Sequence, residues 1–264
     1  MSNIITDAEL VAQYAAKAME EPAKIIATKA PSDSEVRLPG GFINSSGEVV
    51  TKAEVKELDG ADEEAISKSG STAKSLHALL QRGLLKLGGA DVTKDDLDTL
   101  LSGDRDAILL GIRRVTFGST INLRALCSNC NEGQDVTVNL DEDVPVKTLD
   151  NPLQDRVWDM ETKKGTVRVA LPNGVVQRKL MDNIDKTTAE VNTILLSGCI
   201  ISLNGATSIG AGTALSLGMA ERSKIVDEIV TRNPGPRLGE VKKPCKACGE
   251  DMPLPLSLLD LFRV

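Results

Sequence analysis

Aromatic side chains are nearly missing from this chain: Trp158, Tyr14, Phe42, Phe117 and Phe262 are the whole set, 2% of 264 residues. Proteins that hold single-stranded nucleic acid stack bases on such rings, so that class of binder loses its usual platform. Positive charge is also short, with 31 lysines and arginines against 38 carboxylates and a formal net charge of -7. Affinity for phosphate backbones comes from cations that displace counterions, and an acidic balance argues against it. Histidine occurs once, as His77. No apolar run reaches the roughly 18 residues of a membrane span, and the opening MSNIITDAEL lacks the basic flank and apolar block of a secretory signal. Phosphate loop, nucleotide fingerprint and nucleophile elbow are all absent. The expectation is a soluble protein of a reducing cytoplasm, not an enzyme, with no nucleic-acid and no membrane partner.

What is present is ordinary bulk and an unusual doubling. Apolar residues at 41% and charged residues at 26% suit a globular chain long enough for one large domain or two, with no need of crosslinks. Several blocks occur twice in the same order. VRLPGG from Val36 is followed later by VRVALPNG from Val167, and LDGADEE from Leu58 by MDNIDKT from Met181. Leu76, Leu79, Leu80 and Gly83 have the spacing of Val191, Ile194, Leu195 and Gly198. DRDAILLGI from Asp104 lies over ERSKIVDEI from Glu221, which sets Arg105 on Arg222. Each copy then leads to a C-x-x-C turn, CSNC at Cys127 and CKAC at Cys245. Repeats of this kind are a fold-level signal.

The expected fold is therefore α+β, with two tandem pseudo-symmetric repeats at 36–149 and 167–264, a linker at 150–166, and an N-terminal arm and linker at 1–35. In the arm, Thr6 and Glu9 form a capping box, and Leu10, Val11 and Tyr14 begin an apolar stripe suited to packing on a partner or on the chain itself. The Leu-Pro-Gly-Gly and Leu-Pro-Asn-Gly segments read as hairpin turns. Spacing at i, i+3, i+4 predicts helices that end at Gly83 and Gly198, and further helices from Arg105 and Arg222. Alternation in TINLRAL and DVTVNL makes the first C-x-x-C the tip of a β-hairpin with Val136, Val138 and Leu140 on one face. Prolines in MPLPL predict a short or edge return strand after the second.

Thiolates are soft ligands, and two C-x-x-C turns supply the four donors of a closed tetrahedral site, Cys127, Cys130, Cys245 and Cys248. One structural Zn²⁺ is expected, with iron as the other metal that four thiolates accept. Each copy holds only half the shell, so one ion would clamp the two together. A redox dithiol is the rival, but it usually comes as a single C-x-x-C at a helix start. Elsewhere, Cys199 in GCIISL reads as a buried inert thiol and His77 as a packing residue. Arg105 and Arg222 read as ion-paired structural residues, and Asp59, Asp62, Asp182 and Asp185 as caps of the helices that follow.

The order of these blocks, and above all GDRDAILLGIRR leading to CSNC, resembles the baseplate hub and hub-assembly proteins of T-even-type contractile phage tails, with relatives in bacterial contractile injection systems. The resemblance covers nearly everything after residue 35. It implies a structural or assembly role at the tail hub, with other tail or hub proteins as partners and an oligomer possible within the assembly. It places the chain in the host cytoplasm during assembly, and in the virion baseplate if it stays. It implies no catalytic residues. The reading from a different class is a zinc-ribbon nucleic-acid-binding or transcription-associated module, which the acidic balance and missing aromatics disfavour.

Overall fold

Strand β1 (Glu35–Ile43) turns into an antiparallel β2 (Val49–Val55) through a tip where Asn44 Oδ1 accepts the N–H groups of Ser46 and Glu48. The structure is a computed structural model and describes residues 34–207, 210–258 and 260–262. The arm carrying Leu10, Val11 and Tyr14 lies outside the described residues. After β2 come helices α1 (Gly60–Ser67) and α2 (Thr72–Gly83), strands β3 (Leu84–Leu87) and β4 (Ala90–Asp91), then α3 (Lys94–Thr99) and α4 (Ser102–Phe117). A hairpin of β5 (Thr120–Leu126) and β6 (Gly133–Asn139) and the short β7 (Val146–Lys147) complete the first half. The second half runs β8 (Val157–Thr162), β9 (Gly165–Ala170), α5 (Gly174–Met181), α6 (Thr188–Cys199), β10 (Ile200–Leu203), α7 (Ala211–Ser216), α8 (Met219–Arg232), β11 (Gly235–Pro236), β12 (Lys242–Pro244) and β13 (Asp251–Pro253).

The chain is a mixed helix and sheet protein. One sheet has the order β1-β2-β3-β4 and another β8-β9-β10, so in each the second strand lies between the first and third. Both halves thus share an order of two strands, two helices, a strand, two helices and a C-x-x-C hairpin, with β4 added to this series in the first half and β11 in the second. Apolar periodicity explains the helices: in α2, Leu76, Leu79 and Leu80 face inward, and in α8, Ile225 and Ile229 do. Helix α6 runs one residue past the expected Gly198. Among the described residues no helix is long and apolar enough to cross a membrane.

Several of the expectations change. Leu38 to Gly41 is no turn; it lies inside β1, where pairing with β2 shifts register between Arg37 and Phe42. Pro39 offers no N–H to a ladder, and the freed Gly40 N–H donates instead to Asp104 Oδ1 at 2.6 Å. Leu171 to Gly174 is no hairpin either, because Asn173 Oδ1 accepts from Val175 and Val176 and so begins α5. Element order therefore sets β1 beside β8 in the two series, whereas the match of VRLPGG with VRVALPNG would set β1 on β9. The segment 150–166, expected as a linker, carries β8 and the turn into β9. As for the carboxylates, Asp59 caps α1 in a box with Asp62, but α6 is capped by Thr187 and α5 ends at Asp182.

Burial divides into three clusters. One belongs to the first half, around Leu80, Leu100, Ile108 and Ile112, and one to the second, around Val167, Leu196, Ile225 and Ile229. The third draws from both, with Val136 and Val138 against Val241, Met252 and Leu254. The halves also meet where α5 packs on the first half. Ser102 N–H donates to Pro172 O and Gly174 N–H to Leu100 O, both at 2.9 Å. β7 pairs with β11, and Gly103 sits so close to Pro234 that a Cβ there would overlap the proline's carbonyl oxygen.

Arg105, 2% exposed, lies at the centre of this contact. Its Nη1 donates to Leu97 O at 2.5 Å and its Nε to Gln177 Oε1 at 2.6 Å, while Gln177 donates to Asp106. The expectation of an ion pair is corrected: the close acceptors are neutral oxygens, which solvate the guanidinium where water is excluded. Burial brings that guanidinium down to about 10, so it stays charged at neutral pH. In the other half Arg222 Nη1 donates to Ala214 O at 2.7 Å, across the same eight-residue span, and its Nη2 reaches Thr193.

Candidate metal centre

The first knuckle stands on a long hairpin. β5 and β6 pair residue for residue from Thr120 with Asn139 to Leu126 with Gly133, and Ile121, Val136 and Val138 turn inward. The tip closes when Cys127 N–H donates to Glu132 O and Asn131 N–H to Cys127 O, with Asn131 at φ 56°. The second knuckle has the same bonds, from Cys245 N–H to Glu250 O and from Gly249 N–H to Cys245 O, with Gly249 at φ 77°. Asparagine and glycine are the residues that take left-handed backbone most readily, which is why these turns close at those positions. The supporting strands β12 and β13 have three residues each, in line with the prolines that surround them.

The fold brings the four cysteines together: Cys127, Cys130, Cys245 and Cys248 have sulfurs within 4.8 Å of one another. Cys127 Sγ is 3.7 Å from Cys248 Sγ, and Cys130 Sγ is 3.6 Å from Cys245 Sγ. Metal–sulfur bonds of about 2.3 Å at the corners of a tetrahedron put sulfurs about 3.8 Å apart. A disulfide needs about 2.05 Å, and all five cysteines are free thiols. Cys127 and Cys245 are buried on the shared apolar cluster, while Cys130 and Cys248 reach the surface.

Electrostatics favour a cation at the centre of the four sulfurs. The backbone N–H of Cys248, and that of Ala247, bring the Cys245 thiol down to about 6. Cys248 is also lowered, by the Glu250 N–H and the Asn129 amide. Although the Glu132 N–H favours its thiolate, Cys130 is pushed up to about 12 by burial and by the three neighbouring sulfurs. Four thiolates this close repel one another, and a divalent ion removes that repulsion. Four sulfurs fill a tetrahedral shell and leave no open position for a substrate.

Two amides near the sulfurs gave no sign in the sequence. Gln134 Nε2 lies 3.1 Å from Cys245 Sγ and from Met252 Sδ, and Gln134 Oε1 accepts the Lys246 N–H at 3.0 Å. Asn129 Nδ2 lies 3.7 Å from Cys248 Sγ. Both reach from the first knuckle to sulfurs of the second. A glutamine in an alternating strand reads as an ordinary surface residue, so only the crossing of the knuckles shows its place. Away from this cluster, Cys199 is fully buried and its thiol is pushed up to about 12 by that burial. His77 lies on α2 and faces α5, with Nδ1 buried and without a hydrogen-bond partner. Burial, then Arg105 and Arg178, hold its imidazole below the usual range.

No curated protein and no solved structure matches the chain. Residues 81–210 match the family model described as T4 bacteriophage base plate protein. That stretch runs from the end of α2 to the approach to α7 and contains the first knuckle but not the second. The match supports a phage baseplate protein family for this chain.

Proposed function

We propose that this chain is a structural or assembly protein of a contractile phage tail that builds or caps the baseplate hub, and that one structural Zn²⁺ clamps its two halves. The observation that carries the tail reading is the family match over residues 81–210. The hub and its assembly are the finer part, taken from the resemblance of GDRDAILLGIRR and the knuckles to hub proteins. Other tail or hub proteins are its partners. It acts in the host cytoplasm during assembly, and the baseplate is its place in the virion if it stays.

The clamp rests on the four sulfurs, two from each half. We read the halves as copies of one unit. The common element order, the shared strand arrangement, the identical turn bonds of the knuckles, and the two arginines bound to carbonyls eight residues upstream all support this. Zinc is favoured over iron because closed four-thiolate sites most often hold it. The protein performs no catalysis in this reading, since its one cluster of chemically active side chains, among the described residues, is coordinatively closed. Nor does it need nucleic acid, given a net charge of -7.

The tail reading is tested by infection with phage lacking this chain: electron microscopy should show no finished baseplates, and normal tails would overturn it. Mass spectrometry of purified wild-type tails distinguishes a resident protein from one that leaves. Elemental mass spectrometry tests the clamp, with one zinc per chain expected and lost in both Cys127→Ser and Cys245→Ser. Metal kept when one knuckle is broken would overturn the shared site.

A further inference from the structure

The helical contact between the halves is one-sided. The first half contributes the start of α4 with α3 and one face of α2, and the second contributes a groove made by α5, α6 and the end of α8. Ser102 and Asp106 enter that groove beside Pro172, Gln177, Leu180 and Asn233. Helices α1 and α5 both have eight residues behind an Asp or Asn cap, Asp59 and Asn173. Aligning these helices, α2 with α6, and α4 with α8 at Arg105 and Arg222, gives five of the groove residues counterparts that also lie together in the first half. Pro172 corresponds to Leu58, Gln177 to Glu63, Leu180 to Ile66 and Asn233 to Thr116, while the equal lengths of α2 and α6 set Leu195 on Leu79, one position from the Leu80 that the sequence spacing sets there.

Those counterparts line a groove that is open among the described residues. Leu58, Glu63, Ile66, Leu79, Thr116 and Phe117 enclose 510 Å³, with Phe262 at one end. The groove between the halves, with α4 seated in it, keeps 320 Å³. The inserting element also has an open counterpart. The start of α8 corresponds to the start of α4, and it projects Met219, 90% exposed, where α4 has the buried Ser102. Leu215 on α7, 65% exposed, stands where α3 has Asp98. Among the described residues, one chain therefore carries an unfilled groove of the kind its second half uses, and an unpartnered helix start of the kind its first half inserts.

We infer that a second copy of this chain docks here, its α8 start entering the groove of the first half in repetition of the joint inside the chain. This rests on reading the halves as copies. The chemistry of the facing residues fits. Arg105 meets Gln177 within the chain, and the corresponding pair between chains is Arg222 and Glu63, opposite charges. Met219 would face Leu58 and the neighbouring Ala220 would face Phe117, and Leu58 and Phe117 are apolar side chains that are only partly covered. Two positions depart from the template. Asp98 pairs with Arg178 inside the chain, whereas Leu215 would face Glu64. Ala220 replaces Gly103, so the incoming helix must stand further out than α4 does. Because the joining surfaces differ, the contact is heterologous and propagates through successive copies, closing as a ring or extending.

The test is sedimentation of the full-length, metal-loaded chain across a concentration series, with Met219→Glu and Phe117→Asp as the two variants. Met219 is almost fully exposed and Phe117 is 45% exposed, and a circular dichroism melt verifies that each variant still folds. Wild type should self-associate beyond a dimer, and each variant alone should lose at least about tenfold in association constant. An equimolar mixture should recover a species that stops at two chains, since it contains one intact groove facing one intact helix start. A wild-type chain that remains monomeric, variants that associate as wild type does, or a mixture without recovery would each overturn the docking. Zinc measured on the same samples separates the readings: a monomer holding one zinc per chain removes the docking and leaves the clamp.

Discussion

At the sulfur joint, four side chains from two surface turns converge within 4.8 Å, and two of them reach solvent. At the helical joint, α4 and α5 meet through buried backbone bonds, a guanidinium held by neutral oxygens, and a glycine against a carbonyl. With the proposed ion bound, the first joint would concentrate its strength in one metal and be open to chelators and oxidants. The second spreads it over many fixed contacts and depends on shape. The difference shows how one chain can couple the same two halves by chemistry that responds to its surroundings and by packing that does not.

The largest effect is expected from breaking the sulfur joint. Loss of the metal, by chelation or by Cys245→Ser, should cost several kcal/mol and act unequally on the two knuckles. The three-residue strands β12 and β13 should lose amide protection, while the longer β5–β6 hairpin keeps most of its own. Hydrogen exchange with and without chelator reads this directly, and equal loss in both hairpins would refute it.

Breaking the helical joint should cost less. Gly103→Ala forces a methyl against Pro234 O, and overpacking of this sort typically costs about 1–3 kcal/mol. The melting temperature should fall with zinc content unchanged, so the joints separate experimentally. A third substitution sharpens the sulfur side alone: Gln134→Leu removes the amide beside Cys245 Sγ, and such supporting bonds are worth about 10–100-fold in metal affinity. Competition with a chromogenic chelator should show that loss, while the melt of the zinc-saturated protein moves little.

The smallest effect concerns pH. Asp104 is fully buried beside the helical joint, with Oδ2 lacking a hydrogen-bond partner, and burial raises its carboxyl from 3.8 to about 6. The native state therefore holds this proton in an interval where the unfolded chain has released it. Stability from this group is complete below about pH 4 and falls as pH rises through about 6. Asp104→Asn keeps an acceptor for Gly40 and has no proton to lose. It should gain on wild type between those pH values, by at most about 3 kcal/mol. Taking the difference between the two proteins cancels the proton dependence of the thiols, and a flat difference would exclude Asp104 as its source.

Much of the local structure was legible in the sequence. Leu76, Leu79 and Leu80 announced α2, alternation announced the β5–β6 hairpin, and the prolines announced the brevity of β13. Leu-Pro-Gly-Gly and Leu-Pro-Asn-Gly were misread because the same residues serve a turn, a bulge or a cap. The choice lay with Asp104 and Arg156 around Gly40 and Gly41, and with the first turn of α5 around Asn173. The match of VRLPGG with VRVALPNG falls out of step with the element order for the same reason, although Arg105 over Arg222 agrees with that order.

By itself the sequence determined the donor chemistry, four cysteines in two tight turns, and the periodicities that make each half a mixture of helix and sheet. These are settled within a few neighbouring residues, where capping, backbone preference and apolar spacing act. Only the tertiary structure decided that the sulfurs of the two turns meet, that Gln134 and Asn129 cross to the second pair, and that Arg105 is met by Gln177. Each joins residues more than 70 positions apart, and contacts at that range follow from how whole faces pack, for which no local pattern exists.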